Sequence, residues 1–426
     1  MSPSQPPHRT DPSNPEETSP SVAVLPPAHM TDQSSPHDDT RPADEQHDNG
    51  GYLNRAKRGS SRTGLRGIRR KALIVALMLA VAPLGSYTQA LTYSGNAGFQ
   101  DRTVGWVRDN GGNDLVNVVE NWYYTHNAPP TVLPQAGTIP DPATSTRTVT
   151  VAGLPTLPVH SGSSALPGEG RWVEGRRAAD GRPALYTSFI LPDAQHLSVV
   201  AGVAWIRQDT MAAHLVAGTR QPDTGPWPGN SAVPQEDVPH LLATFNSGFK
   251  AKDITGGFYL DGRSSRDLVS GEASVVIYND GRVEIGAWNT DVRMTPDVKA
   301  VRQNLHLIVT NGQPESGLTV NSAGRWGSAQ NQLQYTWRSG LGTDQNGNLI
   351  YVGGADMTLQ NLADALVQAG AIRGLELDIH GGQVNFSSWM PQGQDPTPQK
   401  LLPSMPKTAD RYLAPDQRDF FYLTVR

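Results

Sequence analysis

The most informative pattern of apolar and polar positions lies between residues 371 and 382. Three apolar residues alternate there with three polar ones: Leu375, Leu377 and Ile379 with Glu376, Asp378 and His380. Because successive side chains of a strand point to opposite faces, this run predicts a strand with one apolar face and one face bearing two carboxylates and an imidazole. Gly381 and Gly382 follow, and glycine allows a sharp turn or a close approach of the backbone to a ligand. The stretch is typical of an active-site edge, although a half-solvated strand that ends in an ordinary glycine turn has the same pattern.

Other apolar runs predict further strands and two hairpins: strands over 184–191, 199–207, 241–249 and 420–425, and hairpins over 274–285 and 334–352. The hairpins turn at Asp280-Gly281 and Asn346-Gly347, since these dipeptides favour the positive φ angles that tight turns need. A helix is predicted between Thr358, a good N-cap, and Gly370, a good terminator. The order strand, helix, strand predicts a crossover onto a neighbouring strand. Together these elements predict an α+β domain with a mixed β-sheet core and a few packed helices.

Residues 1–71 are poor in large apolar side chains, and this composition predicts a disordered tail. Basic residues accumulate at its end: Arg55, Lys57, Arg58, Arg62, Arg66, Arg69, Arg70 and Lys71. Because such a flank stays cytoplasmic beside an apolar run, residues 72–91 predict a transmembrane anchor, with the tail cytoplasmic and the C-terminal domain extracytoplasmic. The breaks at Pro83 and Gly85 also fit a signal segment that is cleaved near Ala90, which would give a secreted protein.

Residues 92–127 predict a juxtamembrane helical segment in two pieces, interrupted at Asn110-Gly111-Gly112. Large apolar side chains of the second piece fall on one stripe: Leu115, Val118, Val119, Trp122 and Tyr123. The stripe needs a partner, and the main domain, a second copy of the chain and the lipid headgroup zone all stay open. Residues 128–170 are rich in Pro and Thr and predict an extended stalk, which leads into a main domain over 171–426.

The composition excludes several classes of site. The chain has 426 residues, a formal net charge of -5 and no cysteine, so disulfides, thiolate metal sites and a cysteine nucleophile are excluded. The basic residues lie beside the apolar run, where anionic lipid accounts for them, and nucleic-acid binding is not expected. No cofactor is predicted, while a divalent cation and the oligomeric state are left open. Residues 344–348 have only part of a calcium loop and predict a hairpin turn instead.

Three blocks of the chain occur in the order found in one enzyme family: Asn246-Ser247-Gly248-Phe249-Lys250; Arg338-Ser339-Gly340-Leu341-Gly342 with Asn346-Gly347; and Thr358-Leu359, Gly370-Ala371 and Leu377-Asp378. From Leu241 onward the chain therefore resembles the phosphodiester glycosidase family. It departs from the family pattern at Ser247, where the family has glycine, and at Lys250, where the family has phenylalanine. Ile379-His380 stands where the family has glycines after the aspartate.

The resemblance implies a hydrolase that acts on a glycosyl-phosphate linkage in an envelope polymer or glycoconjugate. On this hypothesis Arg338 clamps the phosphate, and Asp378, aided by Glu376, acts as a base or stabilises the carbocation. His380 holds or moves a proton near neutral pH. The predicted substrate-binding residues are Asn246, Ser247, Gly248, Gly381 and Gly382. The alternative is a noncatalytic envelope polysaccharide-binding or structural protein on the same fold.

Overall fold

The computed structural model describes residues 84–92, 98–135, 137–140, 154–159, 166–223, 225, 227–320, 324–327, 332–392 and 395–426. The predicted cytoplasmic tail at 1–71 and most of the predicted membrane segment at 72–91 lie outside these ranges, as does part of the predicted stalk at 128–170. Among the helices in these ranges, none combines the length and the apolar character needed to cross a bilayer.

The molecule is mostly β-sheet, with strands numbered here in chain order. The largest sheet has eight strands, in this spatial order: β1 (Val173–Glu174), β2 (Leu185–Ile190), β3 (Ala201–Ile206), β14 (Leu349–Met357), β13 (Thr336–Thr343), β15 (Arg373–Ile379), β11 (Leu307–Thr310) and β12 (Gln313–Pro314). The second sheet has the order β7 (Arg263–Arg266), β6 (Phe258–Leu260), β10 (Val298–Gln303), β8 (Ala273–Tyr278) and β9 (Val283–Ala287). The third has the order β17 (Asp395–Lys400), β16 (Phe386–Gln392), β5 (Leu241–Asn246), β18 (Phe420–Val425) and β4 (Met211–Val216). Single 3-10 turns lie at Gln208–Thr210, Val238–His240, Ala251–Asp253 and Arg411–Leu413.

Both predicted hairpins are confirmed. β8 pairs with β9 across Gly281, which has a φ of 78°, and β13 pairs with β14 across Gly347, which has a φ of 79°. In the second turn the Asp344 carboxylate accepts the backbone N–H groups of Asn346 and Asn348 at 2.8 and 2.9 Å. These bonds hold a tight turn, as predicted for this segment.

The prediction of a mixed β-sheet is wrong, because every pair of neighbouring strands in the described sheets is antiparallel. The crossover from β14 through helix α4 (Leu359–Gln368) to β15 does not join neighbours either. β13 lies between them, since it stays paired with β14 as a hairpin and leaves only its other edge for β15.

Helix α4 is built as predicted and lies directly on the largest sheet. Thr358 accepts the N–H of Asn361 while the Asn361 side chain accepts the N–H of Thr358, a reciprocal capping box. Gly370 has a φ of 96° just beyond the helix. A Cβ on Gly340 would lie 3.0 Å from Leu366, so this strand position admits the helix because it has no side chain.

Two hydrophobic cores lie on the two faces of the largest sheet. One joins all three sheets through side chains such as Tyr351, Phe245 and Ile277. The other packs α4 against the sheet through side chains such as Leu362 and Trp205. The inner strands of this sheet are therefore covered on both faces, whereas no residue of the edge strands β1 and β12 is fully buried.

The helical segment precedes the sheets. It comprises α1, helical over residues 84–92, α2 (Phe99–Val107) and α3 (Asn113–His126), with a π-helical turn at Arg108–Gly112 between α2 and α3. Asn110 and Gly111 leave helical backbone angles inside that turn, so the predicted interruption is confirmed. The predicted apolar stripe of α3 points away from the sheets, and each of its five side chains is more than half exposed.

Part of the predicted stalk packs on the domain. Leu157 is buried in the core beside α4, and the Trp172 indole donates to the carbonyl of Pro155 at 2.8 Å. Residues 154–159 are therefore integrated into the fold and do not form a free spacer.

Candidate active site

A cavity of about 830 Å³ opens at the end of β15. Strand β15 and the turn after it contribute the residues of the opening sequence pattern: Glu376, Asp378, Ile379, His380, Gly381 and Gly382. Arg338 of β13, Lys250 and Arg418 add positive charge to the wall, which Asp253 and Lys407 also line. On another side, the helical segment closes the cavity through α2, through Arg108 of the π-helical turn, and through Glu120 and Tyr124 of α3.

A local irregularity of β15 lies beside the two carboxylates. The register of β15 against β13 shifts between the pair Arg338–Ile379 and the pair Gly340–Glu376, so β15 carries one extra residue there. Such a bulge bends a strand and turns side chains away from strict alternation. Leu377 still enters the core shared by the three sheets, while Glu376 and Asp378 both reach the cavity.

The Glu376 carboxylate is paired with Arg338. The Arg338 Nη1 atom donates to Glu376 Oε1 at 2.6 Å, and both side chains are almost completely buried. Burial raises the pKa of Glu376, and the nearby Arg338 opposes that rise. The same guanidinium donates to the carbonyls of Met357 at 2.8 Å and Gln334 at 3.2 Å. Arg338 is thus held on several sides by the protein.

The Asp378 carboxylate is paired with Arg418, a residue that the sequence analysis did not single out. Arg418 Nη2 donates to Asp378 Oδ2 at 2.7 Å and also to the Gly248 carbonyl at 2.7 Å. The other carboxylate oxygen accepts the N–H of Ile379 at 2.9 Å. Burial raises the pKa of Asp378 to about 6, although Arg418 and the Ile379 N–H both act to lower it. Asp378 therefore changes its charge near neutral pH.

A second buried pair supports the first from behind. Asp419 Oδ2 accepts from Arg302 Nε and from the Ser247 hydroxyl, both at 2.6 Å. Asn304 accepts the Phe249 N–H at 3.2 Å and donates to the Leu377 carbonyl at 2.8 Å. These bonds tie the loop after β5 to the end of β15.

Gly248 is required by this close packing. A Cβ at that position would lie 2.9 Å from the Asn304 side-chain oxygen and 3.2 Å from the Arg302 guanidinium carbon. The neighbouring side chains of Asn304 and Arg302 thus account for the glycine at position 248.

Asn246 lies behind the cavity, and its side chain is fully used inside the protein. It donates to Ser339 Oγ at 3.0 Å and accepts from the Tyr351 hydroxyl and the Asn385 N–H, both at 3.1 Å. Asn246, Ser247 and Gly248 are absent from the described wall of the cavity, whereas Gly381 and Gly382 belong to it. The first three residues position the site from within.

His380 leaves the strand in a left-handed conformation, with a φ of 73°. Its N–H donates to the Trp337 carbonyl at 2.9 Å, and its ring lies 3.8 Å from the Glu120 carboxylate of α3. Burial and the nearby Arg108, Arg338 and Lys250 lower the pKa of His380, and Glu120 acts in the opposite direction. These influences favour the neutral form of the ring, and the proton-carrying role of His380 stays a prediction.

Lys250 projects a cation toward the same space. Burial and the positive charge of Arg418 lower its pKa, as expected for an ammonium group held near another cation. Lys250 and Arg418 together give one part of the wall a positive character beside Asp378.

The sequence thus found four of the charged or ionisable groups that converge at the cavity: Glu376, Asp378, Arg338 and His380. It did not assign roles to Lys250 or Arg418. The signal for Arg418 was faint: Arg418-Asp419 is a charged pair immediately before an apolar strand, where two buried charges need partners from elsewhere. Among the described side chains, no group of three His, Asp or Glu residues is arranged to hold a metal ion.

No family model and no curated protein matches this chain. Among solved structures, it is similar to the catalytic domain of zebrafish N-acetylglucosamine-1-phosphodiester alpha-N-acetylglucosaminidase, auto-inhibited by its pro-peptide. The identity is 14%, the TM-score is 0.38, and the match covers 59% of this chain and 87% of that one.

A second similar structure is a hypothetical protein from Synechocystis. The identity is 12%, the TM-score is 0.34, and the match covers 57% of this chain and 62% of that one. Both similarities are weak, so the chemistry of the cavity rests on its own residues.

Proposed function

We propose that this chain is an exported, membrane-tethered hydrolase that cleaves a glycosyl-phosphate linkage in an envelope polymer or glycoconjugate. The observation that carries the proposal is the pair of buried carboxylates on β15, Glu376 and Asp378, each paired with an arginine at the wall of one cavity. Carboxylates flanking an anomeric carbon and cations near a phosphate are the groups that this reaction needs. The export and the tether rest on the basic flank and the apolar run upstream of residue 83.

Asp378 is the base in this proposal. Its pKa of about 6 leaves it ionised at neutral pH yet able to take up a proton, which suits a general base near pH 7. Glu376, held in place by Arg338, stabilises positive charge that develops on the sugar ring.

Arg418 and Lys250 hold the phosphate. Both line the cavity next to Asp378, and the bonds of Arg418 to Asp378 and Gly248 both come from Nη2. Arg338, the residue first expected in this role, donates through Nε, Nη1 and Nη2 to Met357, Glu376 and Gln334. We therefore assign Arg338 to positioning Glu376.

The diester and water are the only reactants in the proposed reaction. A water molecule attacks the anomeric carbon and transfers a proton to Asp378. The bond between the anomeric carbon and the phosphate oxygen breaks, and its electron pair leaves with the phosphate. The products are a free sugar and a phosphomonoester, whose added charge Arg418 and Lys250 stabilise.

The test uses the full chain with a series of hexose-1-phosphate methyl diesters, and measures the release of reducing sugar. Wild type is expected to release sugar, and Asp378→Asn to lose at least about 100-fold of the rate, as for removal of a general base. Asp364→Asn is the matched control, because Asp364 is a half-buried acid of α4 outside the cavity wall. Equal background release by wild type and Asp378→Asn would exclude the proposed reaction.

The noncatalytic alternative has one observation in its favour. Both carboxylates are already neutralised by arginines, and such an arrangement also suits a rigid binding site. Binding of the diesters by the wild type without any turnover is the result that would favour this alternative.

A further inference from the structure

We propose that the exposed face of α3 docks on a lipid bilayer. This outward face consists of Leu115, Val118, Val119, Trp122 and Tyr123, and each of these side chains is more than half exposed. An apolar stripe of this size on a helix is costly in water and marks an interaction surface.

The helix cannot bury this face by turning over, because its other face is engaged. The Asn121 side chain accepts from Gln334, and the Tyr124 carbonyl accepts the N–H of Tyr335. Glu120 pairs with Arg108 of the preceding turn and faces His380. The helix is therefore held with its apolar side outward.

A second copy of the chain is a poor fit for the outward face. Stable interfaces between proteins bury roughly 800 Å² on each partner, from about 20–30 residues. The outward face offers five large side chains along a helix of 14 residues. A bilayer, in contrast, accepts a single helix face of this length, and it favours Trp and Tyr at the headgroup level.

The chain upstream of α2 favours the bilayer as the occupant. The sequence places eight Lys and Arg within residues 52–71 and an apolar run at 72–82. Residues 83–98 separate that run from α2, and within them α1 (84–92) contacts α2 through the hydroxyls of Tyr87 and Thr103 at 2.9 Å. Because the apolar run at 72–82 is so close in sequence, α3 stays near any bilayer that this run enters.

The structure also indicates how the contact would form. α3 itself contains no Lys or Arg, so its contact is apolar and does not depend on anionic lipid. The attraction to anionic headgroups belongs to residues 52–71. Docking of α3 can therefore be distinguished from the charge-dependent binding of residues 52–71 by using vesicles without anionic lipid.

The absence of cysteine in the chain permits a direct test with the full-length protein. Val118→Cys, labelled with an environment-sensitive fluorophore, is reconstituted into phosphatidylcholine vesicles that contain a nitroxide on the lipid acyl chain. Met294→Cys is the matched control, because Met294 is an exposed apolar side chain on the loop after β9. The Val118 label is expected to be quenched and the Met294 label is not.

Two outcomes overturn the proposal. Equal quenching at both positions excludes docking of α3. A spectral shift at Val118 that depends on protein concentration, without lipid quenching, identifies a second copy as the partner instead.

A substitution within the face gives a second test in the same labelled protein. Trp122→Ser in the Val118→Cys background is expected to reduce quenching, whereas Val269→Ser, at an exposed valine elsewhere, is not. Unchanged quenching by Trp122→Ser contradicts the proposal, and thermal unfolding by circular dichroism shows that each variant folds. Neither measurement involves sugar release, so the result is independent of the proposed hydrolysis.

Discussion

The carboxyl group of Asp378 lies between two opposing influences. Burial disfavours its charge, while Arg418 and the Ile379 N–H favour it, and the balance leaves a pKa of about 6. A carboxylate with such a pKa is common at catalytic positions, where burial and a specific partner are combined. The charge of this one residue therefore depends on a partner contributed by a distant part of the chain.

The first prediction concerns pH. If ionised Asp378 is the base, kcat/KM falls by about tenfold per pH unit below the pKa of about 6 and levels off above it, because protonation removes the active form. A pH–rate profile of sugar release measures this limb. An acidic limb near pH 4 would instead point to a carboxyl group with an ordinary pKa.

The second prediction concerns Arg418. Arg418→Gln removes the cation that lowers the pKa of Asp378, so the acidic limb is expected to move to higher pH. Arg418→Lys, which keeps the charge, is expected to hold the limb closer to its original position. Arg325→Gln serves as a control, since Arg325 pairs with Glu315 at the surface. A limb that stays in place in Arg418→Gln rules out the electrostatic coupling.

The third prediction concerns Gly248. Gly248→Ala would press a methyl group against Asn304 and Arg302, and overpacking of this kind typically costs about 1–3 kcal/mol of unfolding free energy. Chemical denaturation measures the change. Gly225→Ala is the control because the nearest atom to its added Cβ lies at 3.9 Å. Equal stability of the two variants would show that the loop after β5 yields without cost.

The sequence could predict the residues of β15 because they are local to one another. It could not predict that Asn246 faces inward or that Arg418 reaches Asp378. Those outcomes depend on the pairing of β5 with β18, which joins segments far apart in sequence. Alternation could not predict the bulge in β15 or the left-handed backbone of His380.

At the level of elements, α4 shows how far local signals reach. Its cap, its apolar stripe and its terminating glycine all agree with the structure, because each is decided within one or two turns of helix. The same holds for the hairpins. The antiparallel pairing of β13 with β15 could not be predicted from the sequence, since the order of strands in a sheet depends on which strand edges remain free.

The fourth prediction tests the cap of α4. Thr358→Ala removes the acceptor for the Asn361 N–H, and loss of such a cap typically lowers the unfolding free energy by about 1 kcal/mol. Thr358→Ser retains the hydroxyl and is expected to recover most of the loss. Urea denaturation of the three proteins measures the difference, and an unchanged midpoint in Thr358→Ala would contradict the role of the cap.

Helix α3 shows what a local pattern does not determine. Its stripe was identified correctly, but burial could not be inferred from it, because an amphipathic pattern does not specify which side of a helix meets the protein. The polar side does so here, through Asn121 and Tyr124.

For the whole molecule, the three sheets share one core, and β5 and β18 lie inside the third sheet. The fifth prediction follows from this arrangement. Amide hydrogens of β5 and β18 are expected to exchange only through global unfolding, while those of the exposed edge strand β7 exchange earlier through local opening. Hydrogen exchange monitored by mass spectrometry measures both. Early exchange in β18 would mean that the third sheet opens separately from the rest.

The position of β18 also determines the order in which the molecule can be completed during synthesis. β4 and β5 leave the ribosome long before residues 420–425, and until then their edges toward β18 stay unpaired. Arg418 emerges just before β18, so the third sheet and the partner of Asp378 arrive together. A nascent chain must therefore keep two open strand edges from pairing with other chains, and Asp378 gains its arginine partner only when the segment that carries Arg418 and β18 has been made.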